Sequence, residues 1–515
     1  MTLDTNLLTY NALDCACTLE ARNAFWHEID QYGYRWAYDF TMSLFEPLMF
    51  MQTRGIKVNF DNLEVTKKAI IAARETAQEE LNRICGKELN ANSPKQVANY
   101  LYIEKGIPAY YNKSGGVTTD DKALQRIARG TAKRAGLREA RLIQDIRGYV
   151  KLYGTYLDID FDSDGRLRCA YNPRGTKFGR LSSSATVFGT GTNLQNLPQE
   201  FKAFLIPDDG YFFWEIDKRQ AEWVVVAYLS GDANMLSVIE SEGDPHAHTA
   251  SLMFNLPEDI IRRDHKVVGG LMDRDEIVER RMAVPELSNV IYQLPSSMSA
   301  RQMGKKSNHG LNYDEGYNTF ALSNEIEIAE AKRVINLYHK IYPGIRQWHE
   351  FVKRQLSNDR SLTNCFGRKI RFLDAWGDTL FKSAYSAIPQ STVGDCTNYG
   401  MREIYNSDLT DLTGPANIDI IAQVHDSVLM QVPMSVLKDT RFFNIVTRAY
   451  DYISPELEYN SRKFKIATDS KIGMNWGGYH KDGNPLGMQE GDLGDSPEDF
   501  VQKVKGILNV ESGTE

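Results

Sequence analysis

Two carboxylates and one basic stretch supply the residue types that phosphate chemistry needs. Asp217 closes the apolar run Phe212–Ile216, and Asp426 lies in Val424-His425-Asp426-Ser427. The flanks of the second, Ile418–Gln423 and Val428–Val432, alternate as a β-hairpin does. Each carboxylate is thus expected on a rigid strand end. Two such groups can hold Mg²⁺ ions roughly 3.5–4 Å apart for in-line phosphoryl transfer. One ion lowers the pKa of an attacking hydroxyl, and the other neutralises a pyrophosphate leaving group. Either aspartate alone is more simply a strand terminus.

Arg301, Lys305 and His309 recur every four residues, which on a helix places them on one face, and Tyr313 continues that face with some drift. Two cations on one face suit a triphosphate, and a planar ring one turn away suits a base or sugar. Taken alone, the stretch is equally an ordinary basic amphipathic helix. His246 and His248 form an HxH pair, but no cysteine or acid lies near them at zinc spacing.

These groups must be carried by a large mixed structure. The 515 residues suffice for three or four structural units. With 42% hydrophobic and 25% charged residues the chain is neither disordered nor a disulfide miniprotein. No apolar run of 18 residues predicts a membrane span, and the first residues show no secretory signal. Six scattered cysteines without CxxC point to free thiols and a cytoplasmic location. A helix is predicted over 31–55, then a short strand, an Ala/Glu-rich helix over 61–84, and another after Ser93-Pro94. Residues 166–235 read as strands and turns, 236–345 as helices interrupted near 264–300, and 346–480 as helices plus the hairpin. The net charge of −8 argues against a nucleic-acid partner only if it is evenly spread. It is not: residues 481–515 hold eight acids and three bases, whereas 121–151 hold nine bases, Lys133 and Arg147 among them, and three acids. A local basic surface, or a merely solvated helix face, is expected there.

The order carboxylate, basic helix, carboxylate brings a resemblance into view. DKRQAEWVVVAYLSGD, RQMGKKSNHGLNY and QVHDSVLMQVP resemble motifs A, B and C of the family A (polymerase I-like) DNA polymerases, phage type. NSPKQVANYLYIEKGIP, GVTTDDKALQRIA, GRLSSS…NLQNLP, GDPHAHTA, YPGIRQW, NCFGRKIRF and SKIGMNWGGY resemble further segments of that family, so the likeness covers about residues 1–480. It implies an α+β right-hand polymerase fold, with a helical thumb, an antiparallel-sheet palm and helical fingers. The implied divisions are 31–165 thumb and first palm helix, 166–235 the first palm segment, and 236–345 fingers with an insertion at about 262–300. The second palm segment takes 346–480, and 481–515 is an acidic tail, by default a solvated extension.

The resemblance implies a role for each matching position. Asp217 and Asp426 hold two Mg²⁺ ions, for which Mn²⁺ can substitute, with the backbone carbonyl of Lys218 as a further ligand. Arg301 and Lys305 grip the dNTP triphosphate, and Lys305 can protonate the leaving pyrophosphate. Tyr313 lies by the templating base, with His309 stacking on the nucleotide. Glu222 blocks a ribose 2′-OH, Gln220 lines the same pocket, and His246 meets the phosphates. Arg180, Asn193, Gln195, Gln390, Gln423 and His425 contact primer–template DNA through sugar edges and minor-groove acceptors, which are similar for all base pairs. The expected activity is DNA-templated extension of a primer 3′-OH, serving phage genome replication in the host cytoplasm. The alternatives are a single-subunit RNA polymerase-like enzyme and a catalytically inactive DNA-binding subunit.

The chain departs from the family pattern at several places. His309 stands where Phe or Tyr is usual, and Ser427 replaces the usual Glu after the motif C Asp. The 55 residues from His246 to Arg301 are more than usual, and the insertion between them reads as an added fingers element or a surface decoration. At the start, Tyr10 and Asp14 share a helix face and resemble the last motif of a 3′–5′ exonuclease domain, so residues 1–30 read as its remnant. Only nine residues precede Tyr10, so no proofreading is expected from this chain alone, and a separate 3′–5′ exonuclease polypeptide is an expected partner.

Overall fold

A computed structural model describes the chain except residues 1–4, 113, 131–133, 272, 411–417, 439, 492–495 and 510–515. An antiparallel sheet of five strands organises it: β1 (Tyr211–Lys218), β2 (Asp419–Val424), β3 (Ser427–Pro433), β4 (Thr468–Gly473) and β5 (Gln489–Glu490). Their order is β5-β4-β1-β3-β2. Val424 pairs with Ser427, leaving His425 and Asp426 as a two-residue turn, and Ser427 in turn pairs with Asp217. His425 has φ +53°, the left-handed conformation such tight hairpins need. Asp426 is thereby delivered beside the end of β1. The aliphatic side chains of β2 and β3 are buried in one core with Phe212, Phe213 and Trp214 of β1.

Helices and four small sheets, one of three strands and three of two, form the rest of the described chain, so the architecture is α+β as expected. We label those used below α1 (Thr5–Gln31), α2 (Phe60–Cys85), α3 (Asp121–Arg129), α4 (Arg138–Leu152), α5 (Ala221–Ser230), α6 (Pro245–Phe254), α7 (Ala300–Leu311), α8 (Asp378–Asn406), α9 (Arg441–Ile453) and α10 (Pro497–Ile507). Leu81 of α2, Leu124 and Ile127 of α3 and Ile143 and Ile146 of α4 close a separate helical core. A further core joins α5 and the helices between 317 and 359 to the first two-thirds of α8, whereas Met401 and Ile404 of α8 belong to the sheet core. The expected helix over 31–55 is two helices, Arg35–Ser43 and Phe45–Arg54, that meet at Leu44.

Three expectations are corrected. The stretch 264–300 is mostly helical: Ile261 of Glu258–Val268 and Leu287 of Pro285–Ser288 share a core with Ala250 of α6, and Arg274–Met282 packs against those two helices. The tail is not simply a solvated extension. β5 pairs with β4, and Phe500 of α10 packs at 5.4 Å from the ring of Phe442 of α9, because Phe500, Val501 and Val504 form one apolar helix stripe. The bases of 121–151 do not form one surface. Arg147 follows Ile143 and Ile146 on the packed face of α4 and donates to the carbonyls of Ala91 and Thr119. Arg126 donates to the carbonyl of Leu322, and Arg129 pairs with Glu325 at 2.5 Å. Lys122, Arg138, Arg141 and Lys151 stay exposed, and Lys133 lies outside the described residues. Among the described residues no helix is long and apolar enough to cross a membrane, and the six cysteines are free.

Candidate active site

A cavity of about 500 Å³ opens at the end of β1. It is lined by ten of the residues singled out from sequence: Asp217, Lys218, Gln220, Glu222, His246, Lys305, His309, Tyr313, His425 and Asp426. β1 supplies Asp217 and runs on through Lys218, whose ammonium turns away to the carbonyl of Ile453. Gln220 then takes φ +50°, a sharp turn that starts α5 and sets Glu222 in its first turn. The β2–β3 turn brings in Asp426.

The two aspartates share a poorly hydrated corner. Burial, the nearby Glu215 carboxylate and Asp426 push the Asp217 carboxyl up to about 6, against the pull of Lys471. Burial also raises Asp426, where Arg180 opposes the shift and Glu222 adds to it. Arg180 donates to Glu222 at 2.6 Å and reaches Asp426 at 3.5 Å. Tyr313 donates to the other Glu222 oxygen at 2.6 Å.

On the opposite wall α7 presents Lys305 and His309 as the spacing predicts. Tyr313 is not on the helix. The amides of Tyr313 and Glu315 both bond the carbonyl of Gly310, which closes the last turn, so the ring is carried by the following loop. Its edge meets His309 with centroids 6.0 Å apart. Arg301, one turn before Lys305, lies outside the cavity lining and donates to Asp244 at 2.6 Å. Asp244 also caps α6, accepting from the amides of His246 and Ala247. His246 accepts from Asn308 at 3.0 Å, and burial lowers it to about 4, so it is neutral near pH 7. His248 instead bonds Glu258 at 2.9 Å, so the two histidines of the HxH pair have separate partners.

The remaining sequence candidates lie at the rim or beyond it. Gln195 donates to the carbonyl of Gln423 at 2.8 Å and accepts from the amide of His425 at 2.9 Å, while Asn193 accepts from Ser183. This network stiffens the Asp426 turn from behind. Gln390 sits half-buried on α8 outside the cavity lining. Tyr10 and Asp14 are exposed on α1.

Several contributors escape a reading of the sequence. Glu215, Lys202 and Lys471 line the cavity. Glu215 is detectable only as the residue two before Asp217, hence on the same strand face. Asn308 is buried, with its side-chain oxygen accepting from Thr249 and Tyr338. The insertion also reaches the site. Asp264 accepts from the amide of Ala300, the first residue of α7, and pairs with Arg281 at 2.8 Å. Arg281 further donates to the carbonyls of Pro295 and Met298. The segment is therefore no surface decoration: it holds the start of the helix that carries Arg301 and Lys305.

Comparison with known proteins places this geometry. Residues 60–268 and 287–478 match the model of DNA polymerase family A. The unmatched gap contains the Arg274–Met282 helix of the insertion. The chain is 26% identical over 407 residues to the thermostable DNA polymerase I of Thermus filiformis, covering 75% of this chain and 42% of that protein. It is 26% identical over 458 residues to DNA polymerase I of Treponema pallidum, covering 85% and 40% respectively. The chain thus spans less than half the length of these curated relatives. Among solved structures, the POL domain of Pol1 from M. smegmatis, in complex with DNA primer-template and dNTP, superposes with a TM-score of 0.67. That match has 23% identity and covers 84% of this chain and 70% of that one.

Proposed function

The chain is a member of DNA polymerase family A, and on that premise we propose that it extends a primer 3′-OH with dNTPs on a DNA template. The observation that carries the reading is the convergence of Asp217, Asp426, Lys305, His309 and Tyr313 on one cavity from elements up to 209 residues apart. A two-metal mechanism fits the donor set. Asp217 and Asp426 offer hard oxygen ligands in a partly dry corner, and the phosphates of a bound dNTP complete the shells that two carboxylates leave open. The carbonyl of Lys218 is a further candidate ligand. Mg²⁺, or Mn²⁺ in its place, held by these residues would supply Lewis-acid activation of the primer hydroxyl and charge neutralisation at the pyrophosphate.

The protein's own groups do the rest. Lys305 and Arg301, once released from Asp244, hold the triphosphate, and Lys305 gives a proton to the leaving pyrophosphate. Neutral His246 donates to a phosphate oxygen while Asn308 fixes its ring. Tyr313 and His309 face the base and sugar, and Glu222 with Gln220 closes the space a 2′-OH needs. Arg180, Asn193, Gln195, Gln390, Gln423 and His425 follow the duplex behind the primer end. In this reading α2–α4 form the thumb, the sheet the palm, and the α6–α7 lobe with its insertion the fingers.

We further propose a phage-type member engaged in genome replication. Tyr10 and Asp14, four residues apart and exposed on α1, support a likeness of this helix to the end of a 3′–5′ exonuclease domain.

Primer extension tests the proposal. With Mg²⁺ the chain should extend with dNTPs, and Asp217→Ala and Asp426→Ala should each stop extension while still binding DNA. Appreciable extension by either variant refutes the metal assignment. Extension with NTPs in preference to dNTPs would instead favour an RNA polymerase-like enzyme, and Glu222 beside Tyr313 argues against it.

A further inference from the structure

A third carboxylate faces the cavity, and its setting differs from that of other acids on the sheet. The register puts Glu215, Asp217 and Ser427 on one face: Glu215 lies two residues before Asp217, and Ser427 stands opposite Asp217. β4 adds Asp469 opposite Asp217 and Lys471 opposite Glu215. Asp469 is already committed, since Arg219 binds it through both Nε and Nη2, and it does not line the cavity. Glu215 is not so committed. Among the described residues no cation lies within ion-pair distance of it, and its partners are neutral donors. The Ser427 hydroxyl bonds Oε1 at 2.9 Å, and the indole N–H of buried Trp476 approaches the same oxygen at 3.4 Å. The other oxygen, Oε2, has no hydrogen-bond partner among the described residues.

Ser427 is buried and follows Asp426 directly. A hydroxyl there is too short to act as a strong ligand, yet it can fix a carboxylate arriving from the next strand. Its hydroxyl also lies 3.1 Å from the carbonyl of Val424, but the carboxylate is nearer and charged, hence the stronger acceptor. The position after the motif C aspartate, usually acidic, is therefore served here by an acid two residues before the motif A aspartate.

We propose that Glu215, oriented by Ser427, is a third carboxylate acting on the divalent cations of this site. The inference rests on Asp217 and Asp426 holding those cations. Glu215 adds negative charge and one free oxygen beside Asp217, directly or through a bound water, and so tightens cation binding. Ser427 acts as a positioning residue, because it touches Glu215 and not the cation.

The test reads metal binding apart from turnover. Mn²⁺ is titrated into the complex of the full chain with a dideoxy-terminated primer–template and dNTP, and free Mn²⁺ is counted by electron paramagnetic resonance. Glu215→Gln should weaken Mn²⁺ binding about tenfold and shift the Mg²⁺ concentration for half-maximal extension by a similar factor. Ser427→Ala should shift both in the same direction by less. Unchanged Mn²⁺ affinity in Glu215→Gln overturns the proposal. Should that variant fail to fold, Glu215→Asp keeps the charge but is one methylene too short for Ser427, and unchanged affinity there overturns it equally. Asp217→Asn separates the two readings. If it keeps Mn²⁺ binding and extension, the underlying site assignment fails; if it loses both while Glu215→Gln loses neither, only the role of Glu215 fails.

Discussion

Tyr313 donates its phenolic O–H to one oxygen of Glu222 at 2.6 Å while Arg180 holds the other at 2.6 Å. The carboxylate is thus clamped from both sides and cannot swing aside for an added hydroxyl. Replacing Glu222 with Ala should raise the ratio of NTP to dNTP use, in kcat/KM, by about 10–200-fold, the range a removed steric contact supplies. Paired measurements with dGTP and GTP check it, and an unchanged ratio removes Glu222 from sugar discrimination.

The Asp264–Arg281 pair is 0% and 1% exposed at its side chains. Removing one partner leaves a buried charge alone, so Arg281→Met should cost about 3–5 kcal/mol in denaturant unfolding. Arg281→Met/Asp264→Leu should recover some of the loss. Because Asp264 also holds the amide of Ala300, the single variant should raise KM for dNTP as well.

Gly304 lies where α7 crosses α6. A Cβ there would collide with the carbonyl oxygen of His246 and press on Ala250. Gly304→Ala should therefore push the two helices apart, costing about 1–3 kcal/mol and weakening dNTP binding. Equal stability and equal KM would show that the helices slide without penalty.

His246, His339 and His349 all have depressed pKa values, to about 4, 3 and 4, chiefly through burial. Arg346 adds to the depression of His339, and Asp314 opposes it. A depressed pKa gives stability that is full above the ordinary value near 6.5 and is lost as pH falls toward the folded value. Between pH 6.5 and 4 stability should fall by about 1.4 kcal/mol per pH unit for each such histidine. His339, with no partner on either ring nitrogen among the described residues, is the cleanest probe. His339→Leu should flatten the slope by one proton, as read by urea unfolding at several pH values, and an identical slope would exclude His339 as a contributor.

Phe500 packs against Phe442 and Phe443 under the edge of the sheet. Phe500→Ala should destabilise the chain by about 3–5 kcal/mol. No change in the unfolding midpoint would return α10 to the status of a solvated extension.

The inner ring of the site is readable from sequence because its chemistry sits at places with strong local signals. Asp217 closes an apolar strand, Asp426 occupies a hairpin turn, and Lys305 and His309 obey helical spacing. Glu215 is not readable, since an acid inside a strand reads as a solvent-facing position until the register supplies Ser427 and a residue 261 positions away, Trp476, supplies its indole. Arg281 stands in the charged run DRDEIVERRM, which reads as a wet helix, and only Asp264 from the preceding helix with the carbonyls of Pro295 and Met298 explains its burial. The bases of α3 and α4 mislead for the same reason. Their acceptors, Leu322, Glu325, Ala91 and Thr119, come from distant turns, and composition is blind to them.

The helix α8 has 29 residues, about 43 Å of continuous rod. One end is anchored among the side chains behind α5, the other beneath the sheet. A rod gripped at both ends is a tie bar: the lobe that carries α7 and the floor that carries the aspartates are held at fixed spacing and cannot scissor apart. Motion that admits a nucleotide must then come from short members hung off that bar. The one built-in joint along it is Pro389, which cannot return a hydrogen bond to the preceding turn.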